Sequence, residues 1–147
     1  MGLLSRLAGF GQTKAPTDDV LLIHAMFLMA GADGNFDDEE IQVIMAAANS
    51  LPEFKATTQQ EWQNMVGEAK KIARKYENPQ AAVAALSQIS SAVIKQKAFL
   101  MAAEIALSSG DVDEDEDAML ESMQRVLGLD DAMAKTIINV LAIKYAT

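Results

Sequence analysis

From Val20 to Ala30 the chain reads Val-Leu-Leu-Ile-His-Ala-Met-Phe-Leu-Met-Ala, an apolar run broken only by His24. A helix made of such a stretch has no polar face to turn toward water. It must be enclosed on most sides by other elements. Even counted on to Ala32, the run is shorter than the roughly 20 apolar residues that a spanning helix needs. The expectation is a central helix wrapped by neighbours. Half of the 147 residues are apolar, yet only 5% are aromatic, and the rest of that share is Ala, Leu, Ile, Val and nine Met. These side chains suit helix packing more than strand pairing. No stretch sustains a two-residue alternation, so the fold class read from the sequence is all-α.

Capping residues divide the chain into about seven helices. Thr17-Asp18-Asp19 starts the buried one, and Gly31 and Gly34 stop it. A second is predicted from near Asp37, with Ile41, Ile44, Met45 and Ala48 as its apolar stripe and Pro52 beyond its end. A third runs from about Thr58 to Tyr76, carrying Trp62, Met65, Val66, Ala69 and Ile72 at helical spacing. Lys70, Lys71, Arg74 and Lys75 crowd its last turns, which suits the helix dipole. Asn78-Pro79 opens a short fourth helix reaching about Ile89. A fifth spans about Ser91 to Ser108 and is halted by Gly110. The sixth runs from near Asp113 to Gly128. The seventh follows Asp130-Asp131, with Met133, Ile137, Val140 and Leu141 expected to face inward. Residues 1–16 read as a small arm whose Leu3, Leu7 and Phe10 share one face, either packed on the domain at 17–147 or turned to a membrane surface or partner.

Two segments correspond 76 positions apart, Ala30 to Glu40 against Ala106 to Glu116. In each, an apolar helix meets a glycine, then an acidic turn, then a capped helix. The match continues through Ile44 with Leu120 and Leu51 with Leu127. A compact bundle of two pseudo-symmetric halves, 18–76 and 91–146, is the implied architecture.

Asp33, Asn35 and Asp37 stand at alternate positions, as do Asp111, Asp113 and Asp115. This is how the oxygen ligands of a calcium loop begin. The remainder of an EF-hand is missing, because its glycine position holds Asp38 or Glu116 and its final glutamate position holds Ile44 or Ser122. A shallower site is conceivable, with Glu40 and Glu116 one turn into their helices. Hard oxygen donors without Cys select Ca²⁺ or Mg²⁺ as the cofactor. The same residues also fit plain capping boxes, Asp37 with Glu40 and Asp113 with Glu116. Both readings stand. The second turn is the richer, with seven acids and no base from Asp111 to Glu121.

The phrase Ala32-Asp-Gly-Asn-Phe-Asp-Asp-Glu-Glu40, after a buried helix and echoed after the fifth, resembles the tellurite-resistance protein TerB family. The resemblance extends from the Met-Gly-Leu-Leu start through Leu127-Gly-Leu-Asp130. It implies a seven-helix bundle with a cytoplasmic stress-response role and an acidic surface that takes divalent cations. It also implies association with a TerC-like membrane protein at the inner membrane face. Ser108-Ser109-Gly110 departs from the family's Asp before the glycine, so the two turns are not expected to be equivalent.

The formal charge of −9 argues against nucleic acid as a partner. The absence of Cys removes disulfides, thiolate metal sites and thiol nucleophiles, and suits a reducing compartment. Met1 to Phe10 has its charge, Arg6, inside the apolar stretch, and no secretory cleavage site follows it. No Gly-rich run precedes Lys-Ser or Lys-Thr, so a phosphate loop is not read. His24 is the single histidine, with Glu104 near the corresponding place in the fifth helix. The two read either as a buried ionisable pair or, for His24, as an ordinary satisfied core residue. The methionines read as core filler, and Lys70 to Lys75 as a solvated helix end rather than an oxyanion site. The expected protein is therefore not an enzyme. It is a cation-responsive adaptor or regulator or, in the other reading, a constitutive protein-protein interaction module with no physiological metal.

Overall fold

The computed structural model describes residues 16–31 and 38–147, the side chain of Glu40 excepted. Among these residues there are seven α-helices, two 3₁₀ turns and no strands. The helices are α1 (Asp18–Ala30), α2 (Asp38–Ala48), α3 (Gln59–Arg74), α4 (Pro79–Ala82), α5 (Ala92–Ser108), α6 (Glu114–Leu127) and α7 (Asp131–Lys144). The 3₁₀ turns are Pro52–Phe54 and Val83–Gln88. The arm at residues 1–15, and Asp33, Asn35 and Asp37 with the side chain of Glu40, lie outside what is described.

Helix starts fall where short polar side chains can hold the first free N–H groups. The Thr17 hydroxyl accepts from Val20 N at 3.2 Å, Asn78 Oδ1 from Ala81 N at 2.9 Å, Ser91 Oγ from Ile94 N at 3.3 Å and Asp130 Oδ1 from Met133 N at 2.7 Å. Thr58 and Glu61 form a full capping box at the start of α3. At the far end of α6 the chain turns through Gly128 at φ +69°, a left-handed conformation that glycine takes without strain.

α1 is enclosed as its composition requires, with every residue from Val20 to Met29 buried. Its most extensive contact is with α5, followed by α3. The starts of α1 and α5 are tied by the Asp18 carboxylate. Its Oδ1 accepts from Ser90 N at 3.0 Å, and its Oδ2 accepts from Ser90 Oγ and from Ser91 N, both at 3.0 Å. Joined at their starts and packed side by side, the two helices run in the same sense. A continuous core gathers residues from every described element, including Ile44 of α2, Phe54, Trp62 of α3, Leu86, Met119 and Met123 of α6, and Leu141 of α7. Phe54 and Trp62 meet edge to face with ring centroids 5.9 Å apart.

Two expectations are corrected. The fourth helix ends at Ala82 and continues as a 3₁₀ turn rather than as α-helix to Ile89. Val140 does not face inward; it is 60% exposed, while Ile137 and Leu141 carry the buried stripe. α7 lies mainly against α5, so only a narrow stripe of it is covered. The two-fold relation between halves stays an expectation of the sequence. No described helix is long and apolar enough to cross a membrane.

Candidate functional site

The acidic start of α6 is built on a capping box. Asp113 Oδ1 accepts from Glu116 N at 2.7 Å, and Glu116 Oε1 accepts from Asp113 N at 3.2 Å. Each of those two carboxylates thus has one oxygen occupied by backbone. Asp111, Asp113, Glu114, Asp115 and Asp117 are all exposed. The turn that brings them here passes through Gly110 at φ +92°, and the Ser109 hydroxyl donates to Ala106 O at 2.8 Å. Among the described residues no three Asp, Glu, His or Cys side chains are grouped to hold a metal. Alternate positions share a centre in a tight loop, but once Glu114 enters the helix, Asp115 and Glu116 turn about its axis instead.

Beside this acidic start runs a groove of about 340 Å³ between α5, α6 and α7. Phe99, Leu107, Val112, Leu120 and Ile138 form its apolar lining, while Asp117, Glu121 and Lys135 stand along it. Val112 belongs to both features. It sits between Asp111 and Asp113 and is 38% exposed.

On the other side of α1, a cavity of about 450 Å³ lies between the end of α1, the last turns of α3 and the start of α4. Phe27, Leu28, Ala69, Ala73 and Ala82 give it apolar walls, and Lys70, Arg74, Tyr76 and Glu77 also line it. His24 belongs to the same wall and is 0% exposed. Its Nε2 lies 3.0 Å from Ala82 O, a bond that places the proton on Nε2. Burial pushes the imidazolium pKa down, and the Ala82 carbonyl only partly opposes that, so the ring is neutral. Nδ1 then carries a lone pair, and among the described residues it has no hydrogen-bond partner. An unpaired buried polar atom of this kind costs about 1–3 kcal/mol.

His24 is a buried core residue, with Nε2 bonded and Nδ1 without a hydrogen-bond partner among the described residues. It is not paired with Glu104. That carboxylate accepts from Tyr145 Oη at 2.8 Å and pairs with Lys144 at the end of α7. A further polar cluster ties α5 to the segment before α3. Lys97 of α5 pairs with Glu53, and Asp19 lies beside them. Burial would raise the Glu53 pKa, but the hydrogen bond and charge of Lys97 outweigh it and leave the group below its ordinary value. Asp19 is raised, first by burial and then by the Glu53 charge.

No protein-family model, no curated protein and no solved structure matches this chain. The sequence marked the acids of α6 but not the groove beside them, which needs three helices in place. Nor did it mark the cavity, where His24 meets Lys70 and Arg74 from a different helix.

Proposed function

We infer that this chain is a non-enzymatic interaction module of the tellurite-resistance, stress-response kind, which offers the acidic start of α6 and the adjoining groove to a basic amphipathic protein segment. The observation that carries the reading is Val112, an apolar groove residue set between two exposed aspartates. An apolar floor bordered by charge is the anatomy of a protein interface, with the hydrophobic centre supplying contact and the charged border steering the partner. A helix with Leu on one face and Lys beside it complements such a floor and border. A TerC-like membrane protein is the partner that the family resemblance suggests. The reading of no catalysis is supported by a chain without Cys whose one imidazole is fully buried.

A second reading keeps weak Ca²⁺ or Mg²⁺ binding at Asp33, Asn35, Asp37 and Glu40 and at Asp111, Asp113, Asp115 and Glu116. One observation favours it. With α1 and α5 running in the same sense, Ala30 and Ser108 end their helices toward the same end of the bundle.

One series of measurements separates the readings. A designed Lys/Leu amphipathic peptide is titrated into the labelled protein at low and high salt. The expected shifts concentrate at Leu107, Val112, Leu120 and Ile138 and weaken with salt. Shifts scattered evenly over the surface would discard the module reading. Melts in Ca²⁺ and Mg²⁺, run against NaCl of equal ionic strength, decide the second reading. Saturable stabilisation that is lost in Asp111→Asn with Asp113→Asn supports a cation site, and identical melts remove it.

A further inference from the structure

The cavity at the end of α1 presents an apolar and a basic surface to one small volume, with His24 buried in its wall. Phe27, Leu28, Ala69 and Ala73 ask for hydrocarbon. Lys70 and Arg74 ask for an anion, and the Arg guanidinium is suited to gripping a carboxylate through two parallel bonds. Among the described lining residues Glu77 is the one acid, and there the two bases outnumber it. His24 asks for a donor. With Nε2–H held against Ala82 O, the bare Nδ1 can only accept. The volume of about 450 Å³ falls in the usual range for small-molecule sites. We propose that this cavity binds a small aromatic hydroxy acid. Its carboxylate meets Lys70 and Arg74, its ring lies among Phe27, Leu28 and Tyr76, and its hydroxyl donates to His24 Nδ1.

The ring of His24 is 0% exposed, so the hydroxyl reaches it only after a rotamer change in the wall, a common adjustment on binding. In return the ligand satisfies a nitrogen that the described residues leave unpaired. None of these lining residues belongs to the groove beside α6, so this site and the interaction surface stand or fall separately.

The probe is 3-(4-hydroxyphenyl)propanoate, titrated into the full chain with ¹⁵N-labelled histidine. It is compared with its 4-methoxy ether, which lacks the donor, and its methyl ester, which lacks the charge. The free acid should bind saturably, and each analogue should bind about tenfold more weakly. The Nδ1 resonance should move with the acid and stay in place with the ether. Lys70 and Arg74 are exposed, so Lys70→Gln with Arg74→Gln should keep the fold while erasing the difference between acid and ester. His24→Leu, if it folds, should erase the difference between acid and ether; the Nδ1 resonance and the Lys70/Arg74 variant read the same claim without it. Equal binding of all three compounds, a stationary Nδ1 resonance with the acid bound, or no saturation at millimolar probe would overturn the proposal.

Discussion

Two of the acidic helix starts, those of α1 and α6, use their acids in opposite ways. At the start of α1, the Asp18 carboxylate accepts three hydrogen bonds from Ser90 and Ser91, residues far along the chain. At the start of α6, Asp113 and Glu116 bond each other's backbone, while Asp111, Glu114, Asp115 and Asp117 stand exposed. The first site joins two helices and holds the bundle. The second closes a local box and leaves its remaining negative charge facing outward. An acid within the first turn of a helix gains from the dipole in either place, so that gain does not distinguish them. What distinguishes them is that another element's N–H groups meet the Asp18 carboxylate, while the Asp113 carboxylate accepts from an N–H of its own helix.

The largest effect is expected from breaking the first site. Asp18→Ala removes three bonds to a charged acceptor and leaves the N–H groups of Ser90 and Ser91 to find water. It should lower stability by about 2–3 kcal/mol, read as a fall in denaturant midpoint at constant m-value. The pH dependence has a definite sign. The Ser90 N–H is the chief cause holding the Asp18 pKa below its ordinary value, with burial partly opposing. A depressed carboxylate contributes stability above its unfolded pKa and loses that stability as pH falls through the folded one. The wild-type protein should therefore lose stability steeply below about pH 4, and Asp18→Asn should flatten that limb. An unchanged acid limb in the Asn variant would show that the Asp18 carboxylate does not hold the starts of α1 and α5 together.

The next effect sharpens the contrast. Asp113→Ala opens the capping box of α6 and should cost about 1 kcal/mol, while Asp113→Asn, which can still cap, should cost a few tenths. A loss as large as that of Asp18→Ala would mean that Asp113 also reaches another element, and the distinction between the two starts would fail. Circular dichroism melts of the three variants side by side give the ranking.

How far such differences can be read from sequence depends on distance along the chain. Thr17, Thr58, Asn78, Ser91, Asp113 and Asp130 announce helix starts because each bonds an N–H only three residues on. The burial of α1 was legible because no face of it is polar. The 3₁₀ form of Val83–Gln88 was not, since apolar spacing is too similar in the two helix types to separate them over six residues. Val140 misled because it lies three positions from Ile137, a spacing compatible with one face, yet α7 is covered over a narrower stripe than that. The role of Asp18 depends on Ser90 and Ser91, and the cavity depends on α1 lying against α3. Both are facts of packing that local pattern does not encode.

The smallest stability effect is expected where the acids face outward. Asp115→Asn with Asp117→Asn removes two charges from the first turn of α6. Losing their interaction with the dipole costs about 0.3–1 kcal/mol apiece at low salt, and relief from neighbouring Asp111, Glu114 and Glu121 returns a similar amount. The net change should lie within about 0.5 kcal/mol and shrink further as salt screens both contributions. Binding of the Lys/Leu peptide should respond far more, weakening at low salt and losing much of its salt dependence. That separation, nearly silent in the melt and plain in the titration, is what surface charge reserved for a partner predicts. A melt shifted as strongly as the titration would instead make these acids part of the scaffold, like Asp18.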